Sequence, residues 1–179
     1  VLDREERKSR ILEQSRNLVQ PSGLKMKDDS ALLEEVCGLV EWPNSLMGTI
    51  EDEFMDIPAE ALVCSMRSHQ KYFAIETSSG DLSPRFITVS NMPSDVQRDQ
   101  TIVFGNEKVL RARLSDARFF WDQDRKVPLE NRIPALAKVM FYDKLGSIGE
   151  KIIRVEKLGL YLSDFVLSAD PAHVKRAAQ

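Results

Sequence analysis

Cysteine is nearly absent from this chain: Cys37 and Cys64 are the two, far apart and in no C-x-x-C pair. Histidine is as scarce, with His69 and His173 alone. These residues have none of the spacings of a zinc site, so no metal is expected, and both thiols read as free, buried cysteines of a reducing compartment. Glycine is missing where a phosphate loop would need it. GNEKVLR holds one glycine, Gly105, and has neither Walker nor Rossmann spacing. No G-x-S-x-G elbow occurs, which leaves no serine-hydrolase triad to argue from two histidines. Apolar runs stay well below the roughly 20 residues of a membrane span. No signal-peptide pattern opens the chain, so a cytoplasmic protein, or one of an organelle matrix, is expected, with no membrane partner. A surplus of one charge is also lacking. The net charge of −3 gives no global attraction to nucleic acid, so any such contact must come from a local patch.

What is present is the balance of a soluble globular protein, 42% hydrophobic and 30% charged over 179 residues. A chain of that length forms one domain that buries roughly 70% of its unfolded surface. Residues 3–18 read as a charged surface helix capped by Asp3 and ended by Pro21, Ser22 and Gly23. Asp28, Asp29 and Ser30 cap a second helix that buries Leu32, Leu33, Val36, Leu39 and Val40. Pro43 breaks the helical pattern. Residues 45–54 read as a strand with an irregularity at Gly48, and Glu51, Asp52 and Glu53 as its solvated edge. Pro58 begins a helix with Leu62, Val63 and Met66 on its buried side, and His69 is expected to satisfy its last carbonyls.

KYFAIET and PRFITVSN read as two strands joined at SSGDLS, where Gly80 supplies a positive φ. Of Tyr72 and Phe73, one is expected to face the core and the other to be partly exposed; an exposed one beside Lys71 could stack a base. Residues 92–100 read as a polar loop, 129–139 as helical apart from Pro134, and 141–167 as a long amphipathic helix through Ile148, Ile152, Val155, Leu158 and Leu162. The expected class is α+β: a small antiparallel sheet flanked by amphipathic helices, helical at both ends. Its segments are an N-terminal helical one at 1–41, a sheet region at 42–104 and a C-terminal helical region at 105–179, within one domain. An opening without Met inside a helical pattern, and HVKRAAQ at the end, read as a piece of a longer polypeptide.

The densest run is 105–126, GNEKVLRARLSDARFFWDQDRK. On a 3.6-residue period Lys108, Arg111, Ser115, Arg118, Asp122 and Arg125 form a polar stripe, and Val109, Leu110, Ala117, Phe120 and Trp121 face a core. Arg113 projects among the apolar residues, so Asp116, three residues on, is its expected inward ion-pair partner. The basic stripe is either a solvated face or a contact for nucleic-acid phosphate.

Taken together, LVEWP, IPAEALVCSMRSHQKYF, FITVSN, GNEKVLRARLSDARFFWDQD and KLGSIGEK closely resemble the β subunit of bacterial-type glycyl-tRNA synthetase over nearly the whole chain. The resemblance implies an α2β2 enzyme, or a fused chain in some organelles. Its α subunit makes glycyl-adenylate from ATP and glycine with magnesium, and its β subunit is needed to charge tRNA(Gly). The stretch corresponds to the middle of the β subunit, before an HD-like domain beyond residue 179, and without a cofactor or catalytic residue of its own. The resemblance further implies kinship with modules of the phenylalanyl-tRNA synthetase β subunit and an incomplete sheet, with strands upstream of Val1. Two roles follow. In one, Lys108, Arg111, Arg118 and Arg125, with His69 and Lys71, steer the tRNA backbone. In the other, the segment is a scaffold that docks the α subunit. An editing-type hydrolase lacks any nucleophile or metal constellation.

Overall fold

A computed structural model describes residues 1–165 and 169–179. They form two compact units, Val1–Trp121 and Asp122–Gln179. The first takes in both the N-terminal helical segment and the sheet region.

Asp3 caps α1 (Arg4–Val19) by accepting from the Glu6 N–H at 2.7 Å. A 3₁₀ turn at Gln20–Ser22 follows, and Gly23 ends it in the left-handed region, φ 67°, as the sequence implies. Strand β1 (Lys25–Met26) leads to α2 (Ser30–Leu39), whose N-cap Asp29 accepts from Leu32 N–H at 2.8 Å. Pro43 starts β2 (Pro43–Thr49), and the chain entering it is held by Asn91, whose Oδ1 accepts from both Glu41 N–H and Trp42 N–H. Pro58 precedes α3 (Ala59–Ser65), which passes into a π-helical turn at Met66–Gln70. Strands β3 (Phe73–Glu76) and β4 (Leu82–Asn91) form the expected hairpin, with Gly80 at φ 92°. The sheet order is β1-β3-β4-β2, all antiparallel.

Three features of this unit differ from the sequence reading. Tyr72 and Phe73 are both buried, at 2% and 1% exposure, because both faces of the sheet are covered. Phe73, Ile75 and Ile87 meet Ile11 and Val19 of α1 and Leu32, Val36 and Cys37 of α2. Tyr72, Ala74 and Phe86 meet Phe54, Ile57, Leu62, Met66, Leu110 and Leu114 on the other side. No exposed aromatic remains on β3 to stack a base. Gly48 is not an irregularity either: β2 and β4 pair without a register shift, Gly48 lies opposite Phe86, and a Cβ there would stand 2.5 Å from Phe86 Cζ. Third, the strand stops at Thr49, and Asp52–Phe54 is a 3₁₀ turn rather than a strand edge.

Helix α4 (Val96–Asp124) begins inside the stretch read as a loop. Asp95 starts it, accepting from Arg98 N–H at 2.9 Å, while Asp99 takes the Ser94 hydroxyl at 2.7 Å. The Ser94-Asp95 pair is an N-terminal signal that the sequence reading passed over.

In the second unit, residues 129–138 are 3₁₀ rather than α-helical, in keeping with Pro134. A hairpin of β5 (Met140–Tyr142) and β6 (Gly146–Ser147) occupies the start of what read as one long helix. Helix α5 (Ile148–Ser163) follows with a full capping box, Ser147 bonding Glu150 N–H and Glu150 bonding back. Residues 166–168, which the expected helix included in part, lie outside the described residues. The Val155, Leu158 and Leu162 stripe is helical as read, yet it is exposed. Helix α6 (Pro171–Ala178), capped by Asp170, completes the unit.

Candidate functional site

Helix α4 carries most of the candidate residues, and its orientation decides what they can do. Its buried residues are Leu110 and Leu114, an i, i+4 pair that enters the core beneath Phe86 and Tyr72. The inward face is therefore rotated from the one read off the sequence. Val109, Phe119 and Phe120 are exposed. Arg113 and Asp116 are exposed too, so the ion pair expected between them is not an inward one. The helix offers several apolar stripes, and the sheet surface chooses among them.

The outward neighbours of Leu110 and Leu114 grip the connection between β2 and α3. Glu107 Oε1 accepts from Thr49 N–H at 2.8 Å and from Thr49 Oγ1 at 2.7 Å. One turn on, the Arg111 guanidinium bonds Glu51. Two turns further, Arg118 Nη2 meets Asp56 Oδ2 at 2.7 Å, and its Nη1 donates to Glu53 O. Glu51 and its neighbours are thus partners of α4, not a bare solvated edge. A cavity of about 100 Å³ lies between Thr49, Glu51, Glu107 and Arg111. That is room for a few waters at about 30 Å³ each, not for a nucleotide. Arg111 and Arg118 therefore present charge already balanced by carboxylates. Lys108 is exposed on the same helix, and Arg125 follows the helix end in the second unit.

His69 sits in the π turn and Lys71 ends it, a feature without a sequence signal. Lys71 adopts φ 59°, rare for a residue with a Cβ. Its N–H bonds Met66 O, its ammonium reaches Ser68 O at 3.4 Å, and Glu35 of α2 pairs with it at 2.8 Å. The end of this helix is thus closed by Lys71, where His69 was expected; His69 is exposed. Arg67 bonds Asp29 at 2.6 Å, so α2 holds this turn at two points. The structure ties Lys71 to α2, and Arg111 and Arg118 to residues 51–56, so these basic candidates have separate anchors.

Tyr72 connects the two regions. Its hydroxyl donates to Asn106 Oδ1 on α4, its ring stacks on Phe86 with centroids 4.6 Å apart, and burial pushes its pKa up to about 12. It is a neutral strut at any ordinary pH. Cys37 is buried as expected, whereas Cys64 is exposed. Among the described residues no group of three His, Cys, Asp or Glu could hold a metal ion.

A family model described as glycyl-tRNA synthetase beta subunit matches residues 1–179. The glycine--tRNA ligase beta subunit of Rhodospirillum centenum is 55% identical over 163 residues, 91% of this chain and 23% of its own. That of Phenylobacterium zucineum is 49% identical over 169 residues, covering 93% and 25%, and that of Listeria monocytogenes 43% over 166 residues, covering 93% and 24%. The chain spans about a quarter of the length of the curated relatives it matches.

Proposed function

Because the chain belongs to the glycyl-tRNA synthetase β-subunit family, we propose that it is a non-catalytic body segment of the β subunit and supports the ATP-dependent attachment of glycine to tRNA(Gly) through architecture. In this reading the chain works in the cytoplasm within an α2β2 enzyme. The α subunit holds the ATP and magnesium of the reaction. The segment keeps a rigid surface in place for that subunit.

One observation carries the architectural role. Arg111 and Arg118 of α4 are spent on the chain's own carboxylates, while Phe119 and Phe120 stand exposed at 57% and 63%, edge to face with ring centroids 5.5 Å apart. Two adjacent exposed phenylalanines on a braced helix are costly to leave in water and are the residue type that anchors interfaces. The double variant Phe119→Ala, Phe120→Ala in the full-length β subunit is expected to abolish the heterotetramer in analytical ultracentrifugation while leaving circular dichroism unchanged. An intact tetramer would overturn the docking role.

A second reading, tRNA positioning by Lys108, Arg111, Arg118, Arg125, His69 and Lys71, is favoured by the exposure of the arginine–carboxylate pairs, since phosphate could replace either carboxylate. Arg111 and Arg118 also brace the fold, so Lys108→Glu is the cleaner probe. It is expected to weaken tRNA(Gly) binding by the holoenzyme and to lower the slope of log affinity against log salt by about one. Unchanged affinity at low salt would remove this reading.

A further inference from the structure

Strand β2 is an outer strand of the sheet, and side chains occupy its outward backbone near both ends. Gln14 of α1 accepts from Ser45 N–H at 2.9 Å and donates to Pro43 O at 3.2 Å, and Glu107 of α4 takes Thr49 N–H. Alongside Leu46 and Met47, between these contacts, lies a groove of about 420 Å³. Leu18 of α1 and Val103 and Phe104 of α4 complete its apolar lining, and Phe104 stands 68% exposed. The charged residues along it are Asp99 and Glu107, both on α4 and both acidic.

Those two carboxylates differ from the others of similar burial. Asp29, Glu51, Glu76, Asp99, Glu107 and Glu156 are the half-buried acidic residues among those described. Asp29 pairs with Arg67, Glu51 with Arg111, Glu76 with Lys27 and Glu156 with Lys175. Asp99 and Glu107 have no cation among the described residues, and what they hold is neutral. Asn44 Nδ2 donates to Asp99 Oδ1 at 3.0 Å, the Ser94 hydroxyl and the Asp95 N–H donate to its Oδ2, and both Thr49 bonds go to Glu107 Oε1. A partly desolvated carboxylate without a counter-charge carries an electrostatic cost that an arriving cation relieves. The same two charges repel phosphate, which sets the groove apart from any path for the tRNA backbone.

We propose that this groove receives a segment of the α subunit that carries two basic side chains with apolar residues between them. Asp99 and Glu107 are eight residues apart on one helix, about 12 Å along its axis, and Val103 lies midway. The apolar part of the segment packs on Val103 and Phe104. Lysine or arginine side chains reach the two carboxylates and lay their apolar stems against the walls. Phe104 precedes Phe119 by fifteen residues of the same helix, about 22 Å and within about 60° of the same face, so one partner laid along α4 covers both. The proposal rests on the docking role above and adds to it the chemistry of a second contact.

The full-length β subunit and its α subunit are the material for the test. Glu107→Gln keeps the acceptor oxygen that Thr49 uses and removes the charge. It is expected to weaken α binding about tenfold or more at low salt in biolayer interferometry, with the difference shrinking as salt rises. Equal affinities at low salt overturn the proposal. p-Benzoylphenylalanine in place of Phe104 is expected to crosslink to α, at a segment that carries lysine or arginine. A crosslink to tRNA, to a second β chain or only within one β chain overturns it. The crosslink leaves both carboxylates in place, so a poorly folding Glu107 variant does not remove the test. Loss of the tetramer in the Phe119 and Phe120 double variant, with no effect of Glu107→Gln, refutes the groove and keeps the docking role; no effect of either refutes both.

Discussion

Gly48 shows how much one missing methyl group can decide. The ring of Phe86 occupies the space a Cβ would need, at 2.5 Å, and Phe86 is itself fully buried. Gly48→Ala is expected to destabilise the chain by about 1–3 kcal/mol, read from urea denaturation, because the ring cannot retreat in a packed core. The sequence marks Gly48 as unusual but suggests the wrong reason, since a close approach and a bulge leave the same trace. The cysteines divide in the same manner. Their flanking patterns look alike, yet Cys64 lies on the outer side of α3 and Cys37 under α1. A thiol reagent is expected to label one cysteine in the native protein, Cys64, and the second only on unfolding, as read by mass spectrometry.

At the scale of elements, caps and turns are legible because they are local: Asp3, Asp29, Gly23 and Gly80 act where their chemistry says they should. The inward face of α4 is not, because it depends on which stripe the sheet selects. Leu114→Ala is expected to cost about 2–5 kcal/mol, whereas Arg113→Ala, at an exposed position, should stay within about 0.5 kcal/mol. Equal losses in denaturation would restore the inward arginine. The tie between β1 and β3 makes stability depend on pH. Lys27 hydrogen-bonded to Glu76 holds that carboxyl below its ordinary value, against the opposing effect of burial. A depressed carboxyl contributes stability above its unfolded pKa and loses it as pH falls through the folded one. Stability should therefore decline from about pH 5 downward. Glu76→Gln is expected to flatten that part of the profile in thermal melts, and an unchanged slope would count against the tie.

Over the whole molecule, the two units are unequal. Val1–Trp121 holds both buried clusters, while Ser163 is the single buried residue among those described in Asp122–Gln179. Amide exchange in α5 is therefore expected to be faster by orders of magnitude than in β3 and β4, because its opening exposes little new apolar surface. Comparable protection would show that the second unit has its own source of cohesion. The α+β class was legible from strand and helix patterns, and the family from motifs distributed along the chain. The covering of both sheet faces was not, since it is made by residues far apart in sequence.

The outer edge of β2 is guarded near each end, by side chains made at different times. Its guard at Ser45, Gln14, is synthesised 31 residues earlier, but its guard at Thr49, Glu107, comes 58 residues later. A nascent or refolding chain therefore passes through an interval in which one end of β2 is sealed and the other can recruit a neighbouring molecule. Slow synthesis of the stretch between Thr49 and Glu107, or crowded refolding, lengthens the exposure. The yield of native protein is then set by how soon α4 arrives.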